Sequence, residues 1–153
     1  DTMLKRRFEH VHQRAGAGEL ANWRHKPLGR LAEVIVLDQF SRNLFRHSSQ
    51  AFAYDAQALA LAQAAITAGH DSGMLPQQKS FLYMPFMHSE SALIHEQAEQ
   101  LFNQPGLENN YEFELRHKVI IDQFGRYPHR NELLGRASTP QELQFLRGPG
   151  SSF

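Results

Sequence analysis

Residues 28–40 read Leu28-Gly29-Arg30-Leu31-Ala32-Glu33-Val34-Ile35-Val36-Leu37-Asp38-Gln39-Phe40. The β-branched run Val34-Ile35-Val36 would suit a buried strand, and periodicity alone does not separate that from a buried helix. Three features favour the helix: the length of the segment, the Leu31-Ala32-Glu33 lead-in, and the absence of a second convincing strand to pair with it. Pro27 fits the first helical position, where a missing N–H costs nothing. With this stretch helical no sheet remains, and the chain reads as all-α.

The end of the stretch returns later. Asp38-Gln39-Phe40-Ser41-Arg42 is matched by Asp122-Gln123-Phe124-Gly125-Arg126, each copy following an aliphatic run, Val34 to Leu37 and Val119-Ile120-Ile121. Basic residues follow both, Arg46 and His47 in one case, His129 and Arg130 in the other. Such repetition usually means one supersecondary unit used twice.

Outward from these motifs the helical pattern continues. Leu4, Phe8 and Val11 recur at helical spacing in residues 2–14, before Gly16 and Gly18. Trp23 lies in a polar connector, where it should plug the edge of a core. Ser48 or Ser49 should cap a helix running to Ala68, with Phe52, Ala56, Leu59, Gln63 and Ile66 as its stripe. Nine of its eighteen residues from 51 to 68 are alanine, which allows close packing. Leu75-Pro76 opens another helix, which Pro85 should kink or interrupt before it resumes through Leu93 to Phe102. Asn109 or Asn110 starts a helix that Gly125 stops, and Thr139-Pro140-Gln141-Glu142 is a capping box for a short last helix. The count is six to seven helices in a single domain, residues 1–153. The chain begins at Asp1 inside a helical pattern, which suggests that an N-terminal segment of the full-length protein is missing.

Composition narrows the function. Sixteen basic residues balance sixteen acidic ones, so no overall field favours nucleic acid or a membrane, and neither partner is expected. Without cysteine there are no disulfides, thiolate nucleophiles or Cys-ligated metal sites. No apolar run approaches the roughly 20 residues of a membrane span, and a cytoplasmic location is expected. No nucleophile elbow, phosphate-cradling glycine loop or dinucleotide fingerprint appears, and no cofactor is expected.

Longer motifs carry a family resemblance. They are Leu37-Asp38-Gln39-Phe40-Ser41-Arg42-Asn43-Leu44-Phe45-Arg46, Phe81-Leu82-Tyr83-Met84-Pro85-Phe86-Met87-His88-Ser89-Glu90 and Phe124-Gly125-Arg126-Tyr127-Pro128-His129-Arg130-Asn131. Ser138-Thr139-Pro140, Glu142-Leu143 and the closing Pro149-Gly150-Ser151-Ser152-Phe153 join them. In these the chain resembles the bacterial family DUF924. The resemblance implies a tetratricopeptide-like right-handed array of antiparallel helices and no particular activity. Ser41 stands where the family commonly has Pro, which should loosen the loop expected there.

Two accounts of the paired motif follow. Asp38 and Asp122 read as last-turn residues, where the helix dipole disfavours a carboxylate, so each needs a partner, and Arg42 and Arg126 stand at i+4. In the structural account each Arg pins its own turn. In the functional account the motifs meet about a pseudo-twofold axis, with Asp38 facing Arg126 and Asp122 facing Arg42. Arg46, His129 and Arg130 would complete a centre for phosphate or carboxylate. On one unbroken helix His88, His95 and Glu99 would also share a face, a weak metal pattern because the histidines are nearly two turns apart, and no metal site is expected.

The function expected is therefore binding of a protein segment or small anionic ligand at Asp38, Arg42, Arg46, Asp122, Arg126, His129 and Arg130. The alternative is a hydrolase or lyase for an anionic metabolite. Its proton carriers would be His88, Glu90 or Asp122, with His117 also available. A homodimer through the alanine-rich helix is a further possibility.

Overall fold

The computed structural model describes residues 2–153 apart from the Leu4 side chain, so the contact expected of Leu4 lies outside the described residues. Every regular element among them is helical: α1 (Thr2–Gly16), α2 (Pro27–Ile35), α3 (Ser41–Leu44), α4 (Asp55–Thr67), α5 (Pro76–His88), α6 (Ala92–Phe102), α7 (Glu108–Phe124) and α8 (Pro140–Leu146). A π turn over Val36–Phe40 joins α2 to α3 with right-handed helical dihedrals at both junctions. Counted as rods, the eight segments are thus seven, within the number expected.

The helical reading of residues 28–40 holds, but the rod runs on to Leu44. Asp38 therefore lies mid-rod, inside the π turn, and not in a last turn as expected. Such turns widen a helix by one residue and are frequent at functional sites.

One residue separates the fates of the two motifs. At the fourth position of the second copy Gly125 takes φ +71°, a left-handed cap that ends α7. At the same position of the first copy Ser41 is helical, with φ −56° and ψ −43°. Its hydroxyl donates to the Leu37 carbonyl at 2.5 Å, and His12 Nε2 lies 2.8 Å from it. Ser41 thus loosens no loop: it continues a helix, and α1 holds it in place.

α4, α5, α6 and α7 each pack on the next, and α2 lies against α4 and α5. The main core holds Leu31 and Val34 from α2 with Leu82, Phe86, Ala98 and Phe102. Each such large apolar side chain stabilises by about 1.5–3 kcal/mol when fully buried. A second cluster joins Ala15 and Leu20 to Val36 and Leu37, with Trp23 at its edge as expected. Gly29 is required there, because a Cβ would meet the Trp23 carbonyl oxygen at 1.9 Å.

α4 corrects the expected cap and stripe. Ser48 accepts the Gln50 N–H and caps only the 3₁₀ turn Ser49–Ala51, while α4 starts at Asp55. Its fully buried positions are Ala58, Ala62 and Ala65, so small residues do bring neighbouring helices close. Pro85 lies inside α5 without breaking it, and the helix ends at His88. Ser89 is extended, and Ser91 accepts the Ile94 N–H to start α6. His88, His95 and Glu99 therefore do not share one unbroken helix.

α7 starts at Glu108, just ahead of the expected Asn109 or Asn110. The capping box of α8 is present as read, with Thr139 and Glu142 each accepting the other's backbone N–H. Among the described residues no helix is long and apolar enough to cross a membrane.

Candidate functional site

The site is built on Asp38. Within the π turn its carboxylate is fully buried, and its two oxygens are shared by three groups. Gln39 donates to Oδ2 at 2.7 Å, His88 Nδ1 lies 2.7 Å from Oδ1, and Arg42 lies 3.5 Å from the same oxygen. Burial opposes the charge, but His88 and Arg42 outweigh it, and Asp38 is held below the usual carboxylate range. Facing a carboxylate, Nδ1 of His88 carries the hydrogen. In the neutral ring Nε2 would then carry the lone pair; that atom has no protein partner among the described residues and is not sealed from solvent.

Arg42, one turn beyond Asp38, forks onto Asp55 at 2.8 and 3.0 Å. Asp55 opens α4, where the helix dipole favours an acid. The same carboxylate lies 3.7 Å from Arg130. Arg130 comes from the 3₁₀ turn Pro128–Arg130 after α7 and donates to the last carbonyl of α5, that of His88, at 2.9 Å. Its guanidinium lies over the rings of Phe52, at 4.5 Å, and Tyr127, at 4.8 Å. Only 5% of Arg130 is exposed, and its Nε has no partner. Burial lowers its pKa, and Asp55 opposes the shift.

Two cavities meet at this cluster. One, of about 330 Å³, lies among Arg42, His88, His117, His129 and Phe153. The other, of about 520 Å³, lies on the side of Ser49, Asp55 and Glu90. Phe52, His88 and Arg130 line both and form the partition. Met84, Met87, Phe113 and the rings of Phe52 and Phe153 make the smaller cavity mostly apolar. His117 donates from Nδ1 to the Phe113 carbonyl at 2.6 Å, which leaves its Nε2 as an acceptor. Burial holds His117 and His129 down to about 4, so both are neutral near pH 7.

The fold thus brings together Asp38, Arg42, His88, His117, His129 and Arg130 from the residues singled out in the sequence. It leaves the others apart. Asp122 is exposed on α7 and pairs with Lys118 at 2.7 Å. Arg126 forks onto Glu142 at 2.8 and 2.7 Å and lines a different cavity, with Gln123 and Phe124. The cross-pairing of Asp38 with Arg126 and of Asp122 with Arg42 is therefore not formed. Arg46 is exposed and reaches Asn43 at 3.3 Å. Glu90 borders the larger cavity, but Arg136 forks onto it at 2.8 and 3.0 Å and the Tyr127 N–H donates to it at 2.6 Å. Although burial favours its neutral form, these donors hold Glu90 ionised below the usual carboxylate range, which disfavours proton exchange.

His95 is occupied within the core. Its Nδ1 meets Glu114 at 2.7 Å and its Nε2 the Ser89 carbonyl at 2.6 Å, so one proton is shared along the imidazole–carboxylate line. Among the described residues no group of three His, Asp or Glu side chains has the geometry of a metal site. Asp55 was not singled out from the sequence, and Phe52 was read there only as part of the apolar stripe of a helix.

The fold is thus all-helical among the described residues, with a buried Asp–His pair and two guanidinium groups beside a mostly apolar cavity. The model of the bacterial family of proteins of unknown function DUF924 matches residues 1–150, and the chain belongs to that family. A solved structure of a protein of unknown function from Agrobacterium tumefaciens is similar, with a TM-score of 0.89 and 36% identity, over 97% of this chain and 86% of that one. None of the curated proteins searched matches.

Proposed function

We propose that the cavity between α5, α7 and the Pro128–Arg130 turn binds a small molecule with one carboxylate or phosphate group and an apolar body. The observation that carries this reading is the sharing of Asp55 by Arg42 and Arg130, which leaves N–H donors in excess of acceptors beside an apolar wall. Arg42 Nε has no protein partner among the described residues and is not sealed, so it can donate to an anion. The Nε2 atoms of His88 and His117 can accept from a hydroxyl or amide of the same ligand. The side chains of Phe52, Met87, Phe113 and Phe153 suit the body of that ligand. A protein segment remains the second expectation from the sequence, but converging donors inside a cavity favour a small ligand over an extended chain.

Titration calorimetry with phenylphosphate, and with phenol as the neutral control, tests this reading. Phenylphosphate binds the wild-type protein and phenol does not, and Arg42→Gln weakens binding at least tenfold, about 1.4 kcal/mol. Equal heats for phenol and phenylphosphate, or an Arg42→Gln variant that binds as well as wild type, would remove the anion site.

A further inference from the structure

We infer that His88, oriented by Asp38, is a general base that activates water for hydrolysis of a carboxylic ester whose acid part carries a second, anionic group. The inference rests on the anion-binding reading of the same cavity. Its geometric basis is the arrangement at the partition between the two cavities. Asp38 meets the imidazole at Nδ1, and His88 lines both cavities with its Nε2 unpartnered among the described residues. A buried carboxylate behind a histidine holds the tautomer and stabilises the imidazolium formed when the ring takes a proton. Arg130 stands on the same partition and Arg42 lines the smaller cavity beside it, where an ester oxygen would gain negative charge.

The step balances without a cofactor. A water oxygen bonds to the ester carbonyl carbon while one of its protons passes to His88 Nε2. The carbonyl π pair moves to oxygen, facing the guanidinium groups. Collapse restores the C=O bond and breaks the bond to the alcohol oxygen, which takes the proton back from Nε2. Ester and water become acid and alcohol, and the imidazole is neutral again. Asp38 is a positioning residue, since among the described residues its carboxylate meets His88, Gln39 and Arg42. Among the described residues no serine or threonine hydroxyl bonds to His88, so the nucleophile is water.

The probes are the 4-nitrophenyl monoester of glutaric acid, which keeps a free carboxylate, and the neutral 4-nitrophenyl butyrate. Wild-type protein hydrolyses the anionic ester faster than the neutral one, after correction for their rates in buffer. His88→Ala lowers kcat by about a hundredfold, the lower bound for a general base. Added imidazole restores part of that loss, which a merely structural role for His88 would not allow. Asp38→Asn lowers kcat with KM kept, and imidazole does not restore it.

Hydrolysis by wild type no faster than by His88→Ala for either ester overturns the proposal. A His88→Ala variant whose lost rate imidazole does not restore overturns the base role as well. Phenylphosphate binding to the same wild-type sample separates the two readings. Binding without His88-dependent hydrolysis rejects the base alone, and absence of both rejects the anion site with it.

Discussion

Arg42 and Arg130, from opposite ends of the chain, converge on the single carboxylate of Asp55, at 2.8 and 3.0 Å from one and 3.7 Å from the other. This junction ties the π-turn rod to α4 and to the turn after α7. It also keeps two guanidinium groups close, where without Asp55 they would repel. Asp55→Ala should therefore destabilise by about 2 kcal/mol or more, as expected when one partner of a largely buried charge network is removed. The urea midpoint of wild type and variant, with slopes compared, measures it.

The two copies of Asp-Gln-Phe-x-Arg should respond very differently to the same change. Asp122→Ala removes an exposed pair with Lys118 and should alter stability by less than about 0.5 kcal/mol. Asp38→Ala leaves Arg42 and His88 facing an empty buried site and should cost about 2 kcal/mol or more. Equal losses in denaturant titrations would contradict the inequivalence of the copies.

Gly29→Ala should destabilise by about 1–3 kcal/mol, since its Cβ meets the backbone of Trp23 and not a flexible side chain. Gly73→Ala, whose Cβ meets nothing within 4 Å, is the matched control and should not destabilise. Thermal melts of the two variants side by side decide this.

Acidification should act in two stages. His117 and His129 are held down to about 4 in the folded protein, below the ordinary 6.5 of an unfolded histidine. Between those values the unfolded state binds more protons, so stability falls as pH drops from about 6.5 to about 4. Glu142 is held down to about 2, chiefly by Arg126, so its contribution is present above 4.5 and is lost as pH falls toward 2. Urea midpoints from pH 7 to pH 3 should decline throughout. His129→Asn should flatten the upper part of the curve, and Glu142→Gln the lower part.

The helices were legible because their signals are local: Pro27, Pro76 and Pro140 at first turns, Gly125 as a stop and Thr139 as a cap. The π turn was not, because an extra residue per turn leaves no mark in apolar spacing. That hidden turn moves Asp38 from a helix end to a buried mid-rod site. Identity of motif also misled the pairing. Gly125 frees the second copy to swing Arg126 onto Glu142, while Ser41 keeps Arg42 in the helix. Arg130 is therefore the residue that joins Arg42. That His88 ends its helix facing Asp38 depends on the packing of α5 against α2, a relation between distant segments that no single window of sequence contains.

A crystal structure of the protein with phenylphosphate tests the central claim most directly. The account predicts phosphate oxygens on Arg42 Nε and the phenyl ring between Phe52 and Phe153, in the cavity of about 330 Å³. A phosphate seated instead at Arg46 or Arg126, or a cavity that stays without ligand at saturating concentration, would contradict it.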